Sequence, residues 1–384
     1  MNILYIAPQK IVSGASLSLV GLVNEMSKNH QVWVIVEDER TEYAKKLKKA
    51  GANLIEFPMV SWIVTKRPPA MIWEIRKVKW RVLNWWQKIR LQTLIKKIKE
   101  LHIDVIHSNL RICNIGGIIA KELDIPHIWH IREFGEEDFD LYTIYNDNEM
   151  YNFMNETSAG VIAISQCIKD KFDKYFKNKI VCIYNGIDVN RFYQENILKL
   201  ENQTILIGMT SVISPTKGQL ELVKAISLLP VEIKKRIRVQ IIGDCYNKKY
   251  FENLKEEISK NQLNQIIDFI GFVDNVEDYL KKIDILVVPS KKEGFGRVTA
   301  EGMMSGCIVL GAKSGATKEL LEDNRGFLYE QGNIESLKNE LIKIISHPDE
   351  SKKNAQNGQI YAHMNFRTEK NAKEIEELYM RVKK

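Results

Sequence analysis

Short runs of β-branched and aliphatic residues alternate with longer helical patterns along almost the whole chain. This alternation restricts the fold more than any other feature. The first run is Asn2–Ala7, and a stripe of Ala15, Leu19, Leu22 and Met26 follows it at helical spacing. Val32–Val36, a charged helical stretch over Thr41–Ala50, and Asn53–Phe57 continue the series. Later runs are Val105–His107, His127–Ile131, Val161–Ile164 and Ile180–Tyr184. Strands that read as continuous apolar runs are buried on both faces, the condition of a parallel sheet covered by helices. The rhythm pauses over the polar stretch 188–203. It resumes at Thr204–Met209, Arg238–Ile242, Ile266–Ile270, Ile283–Pro289 and Cys307–Leu310. The pattern predicts two doubly wound α/β domains, 1–187 and 204–365, joined by a linker at 188–203. A charged tail helix places Ala372, Ile375, Leu378 and Val382 on one stripe.

One segment breaks the rhythm. Ser61–Leu101 holds five of the seven tryptophans, and from Lys66 to Lys99 it carries eleven Lys/Arg against one acid, Glu74. Pro68-Pro69 opens a long helix in which Ile75, Val78, Val82, Trp85 and Ile89 form one face. A basic amphipathic helix of this kind suits an anionic membrane surface, with Trp73, Trp80, Trp85 and Trp86 as the contacts. The alternative is a crossover helix packed on the sheet. The net charge of +7 is mild for 384 residues and does not point to nucleic acid. Cys113, Cys167, Cys182, Cys245 and Cys307 contain no C-x-x-C pair, which fits a reducing cytoplasm. Neither a signal peptide nor a membrane-spanning run is expected.

The segment Pro289-Ser-Lys-Lys-Glu293-Gly-Phe-Gly-Arg-Val-Thr-Ala-Glu301-Gly carries the strongest chemical signal. It follows an apolar strand, so it sits at the carboxyl edge of a parallel sheet, where such folds bind ligands. Its glycines allow close backbone approach, and the helix starting near Arg297–Thr299 directs free N–H groups suited to a diphosphate. Glu293 in the loop and Glu301 in the first turns of the helix are placed to bind sugar and ribose hydroxyls.

Inside VVPSKKEGFGRVTAEGMMSG, the Glu293-x₇-Glu301 pair resembles the donor-site motif of family 4 retaining glycosyltransferases. Further segments share the resemblance: FIGFVDNVEDYLKKIDILVVPS, CIYNGIDVNRF, SPTKGQLELVKAI, Ser13-Gly14-Ala15, and the tail FRTEKNAKEIEELY. It implies the GT-B fold, two Rossmann-like domains facing a central cleft. Residues 1–187 would bind the acceptor, with the tail helix 366–384 crossing back, and 204–365 would bind a UDP- or GDP-linked sugar. Lys217 matches the lysine that neutralises the donor diphosphate. Val212 stands where many members carry an arginine, and Arg297 is a candidate substitute. Gly14, Glu293, Gly294, Phe295, Gly296, Arg297, Val298, Thr299 and Glu301 match donor-binding positions. His130 matches the active-site histidine. His107, Arg132 and Glu133 are candidates on the acceptor side, while His127 and His102 read as structural.

The implied reaction transfers a sugar to an acceptor hydroxyl with retention. No Asp-x-Asp stands at a strand end, so no metal and no cofactor are expected. Lipid-linked or polysaccharide acceptors at the inner face of the cytoplasmic membrane fit the Trp-rich helix. Competing readings are an epimerase-like GT-B enzyme and a non-catalytic membrane- or nucleic-acid-binding protein. A nicotinamide dehydrogenase is disfavoured because no G-x-G-x-x-G follows the first strand.

Overall fold

In the computed structural model the described residues are 1–65, 69–144, 146–195, 200 and 203–383. They form two compact units, Met1–Gly186 with Thr368–Lys384, and Ile187–Arg367.

The first unit holds β1 (Asn2–Ala7), β2 (Gln31–Val36), β3 (Asn53–Glu56), β4 (Ile63–Thr65), β5 (Val105–Ser108), β6 (His127–Ile131), β7 (Leu141–Thr143), β8 (Gly160–Ala163) and β9 (Ile180–Cys182). Seven of these make one sheet in the order β3-β2-β1-β5-β6-β8-β9, parallel throughout. Successive residues of β1 serve opposite layers, as period-2 geometry requires. Ile3 and Tyr5 pack with Leu19, Val23, Ile375 and Tyr379, while Leu4 and Ile6 pack with Leu91, Ile95 and Ile98. The tail helix Thr368–Val382 thus completes one face of this sheet. Burying each such side chain contributes roughly 1.5–3 kcal/mol.

The second unit holds β10 (Ile205–Thr210), β11 (Ile237–Ile242), β12 (Ile267–Gly271), β13 (Ile285–Val288), β14 (Ile308–Ala312) and β15 (Phe327–Tyr329). Its sheet is also parallel, in the order β12-β11-β10-β13-β14-β15. In both sheets the first strand in sequence lies inside the sheet and the chain later crosses to its other side. Each sheet therefore has a switch point at the carboxyl ends of two neighbours, β1 with β5 and β10 with β13. Ligands of such sheets bind there.

Two expectations need revision, and one small element had no expectation at all. The stretch 188–203 is not a free linker. Asp188 caps a helical turn, Val189–Phe192, and Arg191 pairs with Glu277 at 2.7 Å within the second unit. Of the rest of that stretch, 196–199, Glu201 and Asn202 lie outside the described residues, as do Lys66, Arg67 and Pro68. The long helix runs over Ala70–Glu100 with Pro69 at its N-cap, and its two halves behave differently. Leu91, Leu94, Ile95 and Ile98 pack in the core, whereas Ile75, Val78, Val82, Trp85 and Ile89 are exposed. The short antiparallel ribbon β4–β7 has no counterpart in the periodicity, because three-residue strands are too short to show one.

Candidate functional site

The second unit brings two candidates together at its switch point. Lys217 lies in the loop after β10 and Glu293 in the loop after β13. Lys217 Nζ donates to Glu293 Oε1 at 2.6 Å, both side chains partly buried. The two loops are tied by Lys291 N donating to Thr216 O at 2.9 Å. Buried Gln219 braces the first loop through Ser211 Oγ (3.1 Å) and Val212 O (3.0 Å). Gly218, with φ +80°, is required there: a Cβ would stand 2.3 Å from Pro289 O. Val212 is itself 43% exposed and offers no charge.

The Glu loop ends at Gly296, whose φ of +73° turns the chain into the helix Arg297–Met304. Ala316 N donates to Glu293 O at 2.9 Å, fixing the loop from the far side. The helix N-terminus at Gly296–Thr299 is accompanied by two buried hydroxyls, Thr299 Oγ1 and Thr317 Oγ1, with no hydrogen-bond partner among the described residues. Both lie within 3.5 Å of where a Gly296 Cβ would be. Hydroxyls beside a helix start, whose first N–H groups have no intrahelical acceptor, form a ready anion site. Gly294 and Val298 lie in this loop and first turn. Phe295, read as a donor-binding position, packs its ring edge-on against Phe366 at 5.5 Å. Arg297 is not a free substitute for the missing arginine, because its Nε lies 2.7 Å from Glu301 Oε1. Burial raises the Glu301 carboxyl above the usual range, against the pull of Arg297.

The first unit gathers a separate cluster at the carboxyl ends of β5 and β6. His107 Nε2 lies 3.1 Å from His130 Nδ1, and Arg132 Nη2 lies 3.2 Å from the same nitrogen. On its other side His107 Nδ1 meets Tyr379 Oη at 2.5 Å, and the Tyr379 and Tyr5 hydroxyls are 3.2 Å apart. Arg132 is held by Asn109 Oδ1 at 2.8 Å and Asn185 Oδ1 at 2.5 Å. His130 Nε2 is buried and has no hydrogen-bond partner among the described residues. Burial, then the Arg132 charge, holds both His107 and His130 well below the usual histidine range. Gly14 opens the helix Gly14–Met26 after β1, with Ser13 and Ser16 capping it reciprocally.

The remaining candidates differ in their surroundings. Arg132 and Glu133 are buried rather than a surface pair, and Glu133 instead bonds Arg111 at 3.2 Å. His127 bonds Ser108 Oγ at 2.8 Å, and burial lowers it to about 3. The acidic string Glu136-Glu137-Asp138 is not wholly solvated: Asp138 accepts from the Phe134 and Gly135 amides at 2.8 Å. Trp73 and Trp80 are buried and so are not surface contacts, and Trp80 Nε1 donates to Ser61 O at 2.9 Å. Trp85 and Trp86 are more than half exposed. Sequence reasoning missed Tyr379, Tyr5 and Asn109, and placed Asn185 only within the family-like segment CIYNGIDVNRF, not in this cluster. Tyr379, Tyr5 and Asn109 carry no local signal, since each reaches the cluster through strand order or the returning tail helix. Among the described residues no group of three His, Cys, Asp or Glu is placed to hold a metal ion, and no helix is long and apolar enough to cross a membrane.

Residues 190–361 match the family described as Glycosyl transferases group 1, and residues 12–191 match Glycosyltransferase Family 4. An uncharacterised glycosyltransferase of Methanocaldococcus jannaschii is 28% identical over 270 residues, 69% of this chain and 72% of that protein. The capsular polysaccharide biosynthesis glycosyltransferase CapH of Staphylococcus aureus is 29% identical over 252 residues, 61% of this chain and 65% of CapH. N-acetyl-alpha-D-glucosaminyl L-malate synthase of Bacillus anthracis is 24% identical, over 72% of this chain and 74% of its own. Among solved structures, HepE of Anabaena in complex with UDP aligns with a TM-score of 0.81 at 22% identity, covering 99% of this chain and 100% of that one. A glycosyltransferase of Rickettsia africae aligns with a TM-score of 0.79 at 20% identity, covering 99% and 98%. These likenesses show the fold, two Rossmann-like α/β units of the GT-B type.

Proposed function

Because this chain belongs to glycosyltransferase family 4, we propose that it moves a sugar from a nucleotide-sugar donor to an acceptor hydroxyl, with retention at the anomeric carbon. The observation that carries the reading is the Lys217–Glu293 contact at the β10/β13 switch point, beside a helix start flanked by the buried Thr299 and Thr317 hydroxyls. In the reaction the anomeric bond to the diphosphate breaks and a bond to the acceptor oxygen forms. The acceptor proton leaves with the nucleoside diphosphate. Charge grows on the departing diphosphate, and fixed positive potential there lowers the barrier. Lys217 and the N–H groups at Gly296–Thr299 supply that potential, and no metal is assigned to it. Glu293, released from Lys217 as the diphosphate takes the lysine, orients sugar hydroxyls. Glu301 accepts from the ribose. Gly14 lets the first-unit backbone approach the donor, and the Nε2 of His130 donates to the transferred sugar. The relative HepE is described with UDP, which supports a UDP-linked donor.

The acceptor reading is a lipid-linked saccharide or growing polysaccharide at the cytoplasmic membrane face. Its support is the helix Ala70–Glu100. At about 100° per residue, its exposed apolar stripe falls opposite Trp73 and Trp80. Lys77, Arg81 and Lys88 border that stripe on one side, and Arg76, Lys79 and Arg90 on the other. That is the arrangement of an interfacial helix. The relative CapH is named for capsular polysaccharide biosynthesis, which supports the same pathway class. The test is mass spectrometry of reactions with UDP- and GDP-sugars, with and without lipid-linked saccharides. Transfer to an acceptor is expected. Isomerised free sugar nucleotide with no transfer product would favour the epimerase-like alternative.

A further inference from the structure

The first unit contains a cavity of about 680 Å³ that neither His130 nor Arg132 lines. Its walls are the N-terminal half of the helix Ala70–Glu100, the β4–β7 ribbon, and the helices Asp147–Glu156 and Gln166–Phe176. Buried Arg111 and Phe134 also line it. They follow the carboxyl ends of β5 and β6, the sheet edge at which ligands of such folds bind. The volume is in the range that encloses a compact organic ligand.

Its chemistry points to an anionic saccharide. Five cations line the cavity against three acids. The acids are engaged where they stand. Glu136 accepts from the Tyr142 hydroxyl at 3.2 Å, while Asp147 and Glu149 occupy the first turn of their helix, where the backbone favours negative charge. Arg81 and Lys174 are exposed and, among the described residues, are in no ion pair. Trp73, Trp80 and Tyr142 line the cavity, and aromatic rings are the side chains that stack on the C–H side of a pyranose.

The position of Arg81 adds the last element. It sits on the border between the cavity-facing Trp80 and the exposed stripe of Val78, Val82 and Trp85 on the same helix. A ligand with a charged head in the cavity can therefore run an apolar chain along that stripe. We infer that this cavity holds the head of an amphiphilic acceptor, a saccharide carried on a lipid phosphate. Arg81 and Lys174 bind the phosphate, the ring lies against Trp80 and Tyr142, and the chain follows the stripe into the bilayer. The inference rests on the transferase reading above.

The test is calorimetric titration of the full chain with n-octyl glucosyl phosphate, glucose 1-phosphate and inorganic phosphate. The octyl ester should bind at least tenfold more tightly than either soluble phosphate. The double variant Arg81→Gln/Lys174→Gln should weaken it about tenfold or more, while UDP affinity stays at the wild-type value and reports an intact fold. Tyr142→Leu should weaken the octyl ester and glucose 1-phosphate but not inorganic phosphate. Glucose 1-phosphate binding as tightly as the octyl ester overturns the lipid source. Inorganic phosphate doing so overturns the saccharide head as well. Wild-type affinity and wild-type transfer kinetics in the double variant remove the site and leave the transferase reading. Octyl-ester binding that depends on Arg81 and Lys174, in a chain that transfers no sugar, removes the transferase reading and leaves the site.

Discussion

Arg132 Nη2 lies 3.2 Å from His130 Nδ1, and this contact decides where the imidazole keeps its proton. A guanidinium only donates, so Nδ1 must accept. His107 Nε2, 3.1 Å from the same atom, is then also a donor. The hydrogen of neutral His130 is left on Nε2, the buried ring nitrogen with no partner among the described residues. The cluster thus presents one oriented N–H from an uncharged ring.

His130→Ala should lower turnover about tenfold to a hundredfold with nucleotide affinity little changed, the signature of a contact stronger in the transition state. Arg132→Gln should lower turnover as well and shift the nitrogen-15 resonances of His130 away from the Nε2–H tautomer. Steady-state kinetics, calorimetry and that spectrum check both. Unchanged turnover in His130→Ala would make it a core histidine.

Lys217→Ala should weaken nucleotide binding as well as turnover, because the diphosphate is charged in both states. Glu293→Gln should mainly lower turnover. Glu301→Gln should weaken nucleotide affinity by about 1.5–3 kcal/mol, the cost of a charged hydrogen bond. Glutamine is the better replacement for Glu301, since alanine would leave Arg297 facing a buried void. Near-wild-type kinetics in all three would contradict the site assignment.

Stability should fall as the pH drops from 6.5 toward 5.5. His107, His127 and His130 are held neutral by burial, and His127 titrates only at about 3. The unfolded chain binds protons at these positions below its histidine value near 6.5 and the folded chain does not, so each contributes a loss of up to about 1.4 kcal/mol per pH unit. Glu133, Asp138 and Glu301, raised by burial, act with the opposite sign at lower pH. Urea unfolding of His127→Gln beside the wild type isolates one histidine, and its pH slope should be shallower.

The protein should co-sediment with anionic vesicles and release at high salt, since each basic side chain near such a surface contributes about 1 kcal/mol within a Debye length. Trp85→Ser/Trp86→Ser should reduce binding even at low salt without unfolding, because both rings are exposed. Trp80→Ser should instead destabilise the fold. Equal binding by the Trp85/Trp86 variant and the wild type would sink the interfacial role.

Transfer should survive excess EDTA, because Lys217 and the helix start carry the diphosphate charge. Loss of activity restored by added Mg²⁺ would show a metal in the reaction.

Periodicity alone determined the two α/β units, most strand positions, the tail helix over Thr368–Val382 and the placement of the Glu loop after an apolar strand. These are local properties: a strand buried on both faces must be apolar throughout, and a helix on a sheet must show a stripe. What the tertiary structure decided was adjacency. Lys217 and Glu293 are 76 residues apart and meet because β10 and β13 are neighbours. His107 and His130 meet because β5 lies beside β6, and Tyr379 joins them because the tail helix packs on the first sheet. Strand order leaves no trace in the spacing of apolar residues, so these partners were not legible. The tryptophans make the same point on one helix. All four share its composition, yet Trp73 and Trp80 face the cavity walled by the β4–β7 ribbon while Trp85 and Trp86 face outward. Which side of a helix is covered depends on what folds against it, and a three-residue ribbon gives no advance sign of itself.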